Sequence, residues 1–266
     1  MLSFYLEAPA VAAPGLDGWA NAKPVLAQET AYRQTPLPDY VPQILPPTAQ
    51  RRGSISTLLA IQAAQESLGT TEIAPTELAS IFASSIGDPE IVDRLCSALA
   101  DPQPMVSPIQ FHNSVHNAPA GYWSIAIDSL ESTSSLAAGD ASFAAGLLSA
   151  AVQCRAESRS LLLVAYDLPF EAPMDATRPL SAPFATSMVV TPSATRQTQL
   201  HCTLEINAIP APASRMADAE LEQLRVGNPA ARALPLLQQL SFPTDEETLT
   251  FDYLPDCQLQ LKCKPC

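Results

Sequence analysis

The sequence predicts an α/β fold built in layers. Three observations carry this. Helix-like and strand-like segments alternate between Ser54 and Tyr166, which implies parallel crossovers. The run Leu161-Leu162-Leu163-Val164-Ala165-Tyr166 is continuously apolar, the pattern of a strand covered on both faces. The segment from Asp140 to Cys154 reads as a helix kept thin by Ala141, Ala144, Ala145, Gly146, Ala150 and Ala151. Small residues there let packed elements approach closely.

In chain order, Leu2 to Leu6 predicts an opening strand that ends at Pro9, and Ala12-Ala13-Pro14-Gly15 a turn. Pro36, Pro38, Pro42, Pro46 and Pro47 rule out a regular helix or central strand between 35 and 47, leaving a surface crossing. The first helix spans Ser54 to Leu68, with Ser54 as N-cap and Gly69 as its end. A strand follows at Leu78 to Ser84. Gly87-Asp88-Pro89 then turns into a second helix, whose buried face is Ile91, Val92, Leu95 and Leu99. Asp140 is expected to cap the thin helix. Phe184 to Thr191 and Leu200 to Asn207 are expected to pair as antiparallel strands. Ser214 to Val226 and Pro229 to Leu240 read as helices. Glu247 to Tyr253 and Cys257 to Cys263 alternate around Leu254-Pro255-Asp256, a terminal hairpin.

The 266 residues allow one large domain or two small ones, and 47% apolar content suffices for a substantial core. Fourteen basic residues stand against 27 acidic ones, a formal charge of −13. Only Lys23, Lys262 and Lys264 are lysines, and Arg51-Arg52 is the one adjacent basic pair. Nucleic acid and anionic membranes need clustered positive charge, so both are excluded as expected partners. An acidic carrier protein would dock weakly on this chain alone. No run approaches the 18 apolar residues of a membrane span, and the opening residues lack the features of a secretory signal. A cytoplasmic setting is expected, with Cys96, Cys154, Cys202, Cys257, Cys263 and Cys266 reduced. Cys263-Lys264-Pro265-Cys266 has metal-ligand spacing but no fourth ligand at hand, so no metal and no cofactor is expected.

Candidate acid–base chemistry is sparse. His112 and His116 lie near Ser114, and Ser142 is the next candidate hydroxyl. A small acyltransferase or thioesterase could be built from one histidine and a serine, but no G-x-S-x-G elbow is present. The alternative is that these histidines satisfy backbone groups or line an interface. Asp140 as a general base would need a raised pKa and a proton-exchanging neighbour.

Two motifs carry a family resemblance. Ser107-Pro108 followed by Asn117-Ala118-Pro119-Ala120-Gly121 is one; the strand-turn-helix from Leu136 to Leu148, followed by an apolar strand, is the other. Together they resemble the N-terminal half of a β-ketoacyl synthase, a thiolase-like condensing enzyme. The resemblance covers residues 1–207 and fades after Ile209-Pro210-Ala211-Pro212. It implies a layered thiolase-like half fold, a mixed five-stranded sheet with helices on both faces, with 208–266 as a helical segment and hairpin packed on the same domain.

In such enzymes a cysteine sits at the tip of the central helix, where the dipole stabilises a thiolate. Counting back from Phe143, that position is Gly139, which has no side chain; a slip by one would place Ala138 or Asp140 there. The resemblance therefore implies a pseudoenzyme like a chain length factor, acting with an active ketosynthase in type II fatty acid, polyketide or aryl polyene biosynthesis. Gly139 and Asp140 would form its pseudo-active elbow, with Asn117 and Gly121 around it. Asn117, Gly121, Tyr122 and Phe143 would line the cavity or interface. The strand Thr133–Ala138 would pair across a heterodimer with the synthase or a homodimer with itself, and the acyl carrier protein would be met indirectly. A stand-alone structural homodimer is the remaining alternative.

Overall fold

The computed structural model describes residues 1–208 and 211–266; Ile209 and Pro210, where the resemblance was expected to fade, lie outside the described residues. Strand β1 (Leu2–Ala13) leads through β2 (Leu16–Asp17) to helix α1 (Trp19–Leu26). Helices α2 (Pro47–Arg52) and α3 (Ile55–Leu68) precede β3 (Ala79–Ala83), and α4 (Pro89–Ala100), α5 (Pro108–Asn113) and α6 (Ala118–Ala126) precede β4 (Thr133–Leu136). A 3-10 turn, Gly139–Ala141, opens α7 (Ser142–Glu157), which leads to β5 (Leu161–Asp167). Then come β6 (Phe184–Thr191), β7 (Leu200–Asn207), α8 (Ala219–Gly227), α9 (Leu234–Ser241), and the hairpin β8 (Glu247–Leu254) with β9 (Cys257–Pro265).

The layered α/β architecture and the mixed sheet are as expected, but among the described residues the sheet has nine strands, not five. Its order is β4-β3-β5-β6-β1-β7-β9-β8, with β2 paired to β1. Strands β3, β4 and β5 are mutually parallel; every other pairing is antiparallel. The added width comes from β7 and the hairpin, which continue the sheet beyond β1. Strands β6 and β7 do not pair with each other, because β1 lies between them.

Proline 9 does not end the first strand. The register of β1 against β6 shifts between Glu7 and Ala10, and Ala8 has φ +52°. The strand thus carries Pro9 through a β-bulge, one of the few places a strand tolerates a missing N–H. The bulge is held from the side: Ser67 Oγ, at the end of α3, donates to the Ala8 carbonyl at 2.6 Å.

Strand alternation sorts the core into two layers. Ile81, Leu163 and Ala165 face one side, with α1, α7, α8, α9 and the hairpin. Phe82, Leu162, Val164 and Tyr166 face the other, with α3 and α6. Helix α3 begins as expected, its Ser54 Oγ accepting from Thr57 N at 3.2 Å. Helix α4 also begins as expected, capped by Asp88; of its expected face Ile91 is buried, Val92 and Leu95 are half-buried, and Leu99 is 62% exposed.

Helix α7 touches β1, β3 and β5, and also β8 at the sheet's far edge. The sheet therefore bends around it. Phe143 meets Phe251 of β8 edge-on, ring centroids 5.6 Å apart. The approach to the parallel strands is closest at Gly146, where an added Cβ would lie 3.0 Å from both Ala83 Cβ and Leu163 Cδ1. Gly146→Val is expected to lower unfolding free energy by about 2–3 kcal/mol, the scale of core overpacking, measured by urea denaturation. A variant as stable as the parent would show that α7 has room to move.

Candidate functional site

The elbow forms where β4 stops and α7 starts. Ser142 closes it: its Oγ accepts from Ala138 N at 3.0 Å and donates to the Gly139 carbonyl at 2.7 Å. Buried and engaged within its own turn, Ser142 pairs with none of the histidines in this arrangement. Asp140 does not cap α7. The N-cap position is Ala141, without a side-chain bond, and the Asp140 carboxylate turns outward to Arg178. The reason is the 3-10 turn, which sets Asp140 a residue too early and leaves Ser142 to tie the backbone. Gly139 lies at the tip with φ +56°, and a Cβ there would meet nothing within 4 Å. The position is open but left-handed, a conformation that favours glycine.

Beside the tip is a cleft of about 340 Å³, lined among others by Ala138, Asp140, Ala144, Arg225, Arg232, Phe251 and Tyr253. Its far wall is β8, so the hairpin completes it. Arg225 is buried and held by Glu222 through two hydrogen bonds of 2.7 Å. That bidentate pairing holds the Glu222 carboxyl below its usual range. Phe143 lies in the core beneath, packed on Phe251.

The other motif builds a different place. His112, Asn117, Gly121 and Tyr122 line an apolar groove of about 580 Å³ together with residues of α2 and α5. Tyr122 Oη donates to Asn113 Oδ1 at 3.2 Å, Asn113 Nδ2 donates to the Arg52 carbonyl at 2.6 Å, and the His112 ring stands edge-on to Tyr122. Asn117 occupies the N-cap position of α6 without capping it. Helix α6 packs on one core layer and α7 on the other, so the sheet separates this groove from the elbow. Asn117 and Gly121 do not surround Gly139 within the chain.

The histidines are dispersed. His116 Nε2 donates to the Ser84 carbonyl at 3.1 Å, a backbone role. Ser114 Oγ is spent on the Phe111 carbonyl at 2.8 Å. A hydrogen bond between serine and histidine side chains was not foreseen: Ser3 Oγ to His201 Nε2, 2.8 Å, across β1 and β7. The Ser3 and His201 positions lie more than a hundred residues apart in sequence, and no local pattern joins them. Tyr5 stacks on His201 at 4.8 Å. Among the described residues no three His, Cys, Asp or Glu side chains gather as a metal site.

Sequence reasoning also missed Asp167. It ends β5 fully buried, its Oδ1 accepting from Ser84 Oγ at 3.0 Å and from Ser85 N and Oγ at 2.8 Å each. Among the described residues its Oδ2 and Asp88 Oδ2 have no hydrogen-bond partner. Burial raises the Asp167 pKa from 3.8 to about 6, against the lowering effect of the Ser85 and Ser84 bonds and of Arg178. The only hint in sequence was an acid closing an otherwise apolar strand. With the folded pKa above the unfolded one, the neutral carboxyl's contribution is fully present below pH 3.8 and is lost as pH rises through about 6. Asp167→Asn should therefore flatten the decline in stability between pH 4 and 7, on the order of 2 kcal/mol in the parent, measured by denaturation across that range. An unchanged slope would mean the carboxyl is not desolvated.

Comparison with known proteins follows the same lines. The sequence profile described as "Beta-ketoacyl synthase, N-terminal domain" matches residues 19–248, beyond the expected limit at 207. No curated protein matches the sequence. Among solved structures, one is the ketosynthase ApeO in complex with its chain length factor ApeC from Xenorhabdus doucetiae. It aligns at TM-score 0.73 and 23% identity, over 98% of this chain and 100% of that one. The ishigamide ketosynthase/chain length factor aligns at 0.72 and 14%, over 100% and 99%. A type II polyketide ketosynthase complex with its acyl-carrier protein, AntDE:AntF, aligns at 0.75 and 12%, over the whole of both chains. At these identities the structural likeness speaks for the fold; the profile, matching most of the sequence, places the chain in the β-ketoacyl synthase N-terminal domain family.

Proposed function

We propose that this protein is a non-catalytic, chain-length-factor-like partner of an active ketosynthase in type II fatty acid, polyketide or aryl polyene biosynthesis. The observation that carries the reading is Gly139: the tip of the central helix is formed, open and left-handed, yet holds no nucleophile. Ser142 is consumed by the turn, and His116 by a backbone carbonyl, which disfavours a serine–histidine acyltransferase. The likeness to two structures of ketosynthase–chain length factor pairs supports the same reading.

The joining surface in this reading is the sheet edge at β4. The Ser132 and Leu136 carbonyls accept from Ser80 N and Ser84 N, so these residues direct their backbone groups toward β3. By strand alternation Thr133 and Ser135 direct theirs outward. The groove around Asn117, Gly121 and Tyr122 lies on α6, which packs against β4. On the proposed dimer it would face the partner's substrate cavity, and the carrier protein would be met through the synthase. Residues 1–207 would supply the synthase-like scaffold, with 208–266 packed on it as cover for α7.

Two measurements test this. Incubation with an acyl-carrier thioester should leave the intact mass of the isolated protein unchanged; a stable acyl adduct would refute the non-catalytic reading. Co-expressed with a ketosynthase from its own gene neighbourhood, the protein should co-elute. Ser135→Pro, which removes an outward N–H and no bond to β3, should abolish co-elution while far-UV dichroism stays folded. Persistent co-elution would move the interface elsewhere.

A further inference from the structure

Cys202 on β7 and Cys263 on β9 stand directly opposite each other in the antiparallel ladder. Both are fully buried, both are free thiols, and their Sγ atoms lie 3.8 Å apart. Opposed Cα atoms in such ladders are about 4.5–5.5 Å apart, inside the roughly 4.4–6.8 Å range a disulfide accepts. A third cysteine, Cys266, is exposed at the same end of the sheet. Its backbone N–H donates to the Gln199 carbonyl at 3.2 Å; burial raises its thiol pKa, opposed by the N–H of His201, the residue beside Cys202, which its sulfur accepts. His201 itself points to the opposite face, toward Ser3, so the three sulfurs are not completed into a metal site.

We propose that Cys202 and Cys263 are a thiol–disulfide pair, oxidised by a low-molecular-weight disulfide that reaches them through Cys266. The inference is independent of the accessory role. Buried thiols away from cations react poorly, and burial pushes the Cys202 thiol well above its ordinary pKa, so the exposed sulfur takes the first step. The Cys266 thiol gives its proton to solvent, and its thiolate attacks the small disulfide. One thiolate leaves, and a mixed disulfide forms at Cys266. Cys202, losing its proton, attacks the Cys266 sulfur and expels the second small thiolate. Cys263 then attacks the Cys202 sulfur, and Cys266 regains a free thiol. Two protein thiols are oxidised, and one small disulfide is reduced to two small thiols. The new bond joins positions 61 residues apart and staples β9 to β7. Because β8 hangs on β9 and walls the cleft beside Gly139, the bond fixes that wall to the sheet.

The test incubates the full chain with glutathione disulfide, then alkylates, digests and maps it. The expected product is a loss of about 2 Da mapping to a Cys202–Cys263 bond, reversed by dithiothreitol. The oxidised protein should melt about 5–10 °C higher. Cys266→Ser should form the bond at least about tenfold more slowly. Cys202→Ala and Cys263→Ala should each lack it, and mapping of the parent decides the matter if either variant misfolds. Glutathione found only on Cys96, Cys257 or Cys266, with Cys202 and Cys263 alkylated as free thiols, would overturn the proposal, as would an unchanged rate in Cys266→Ser.

Discussion

Gly146 leaves no room for a side chain, and the architecture around it depends on that. With Ala83 Cβ and Leu163 Cδ1 at the limit of contact, α7 lies close on the side chains of β3 and β5. Only at that depth can the sheet bend far enough for Phe251 to reach Phe143 from the other side. Close approach maximises dispersion contacts around a helix whose own residues include Ala144, Ala145, Gly146, Ala150 and Ala151. It also fixes where the helix begins. The elbow's shape thus follows from packing one and a half turns further along.

The hairpin answers a problem posed by the half fold. A central helix of this kind needs cover on the side away from its own sheet, and here the same chain supplies it. Leu249 and Phe251 of β8, Leu236 and Leu237 of α9, and Leu221 and Leu224 of α8 all join the core layer around α7. The sheet's nine strands are the means: by continuing past β1 it curls until its last strand faces its first ones. The cleft at Gly139 is what remains between that cover and the helix tip.

Much of this was legible in sequence because it is written in local period. The α3 cap at Ser54, the buried run of β5, the thin α7 and the terminal hairpin each announce themselves within a dozen residues. What was not legible depends on distant partners. Pro9 reads as a stop until Ser67 and β6 are there to hold a bulge. Strands β6 and β7 read as neighbours until β1 comes between them. Asp140 reads as a cap, but the 3-10 turn sets it too early, α7 has no side-chain cap, and Ser142 ties the turn's backbone instead. The grouping of Asn117 and Gly121 with Gly139 failed for a similar reason: motifs close in sequence lie on opposite faces of one sheet.

The place of β1 has a consequence for biosynthesis. Residues 2–13 are made long before their two long neighbours in the sheet, β6 and β7, which end at residue 207. At 5–20 residues per second, the nascent strand waits about 10–40 s for them. During that time only its last residues have a partner, in the short β2, and the rest of its apolar backbone edge is unpaired, the condition in which aggregation competes with native closure. A chaperone that shelters early hydrophobic segments would act on this stretch.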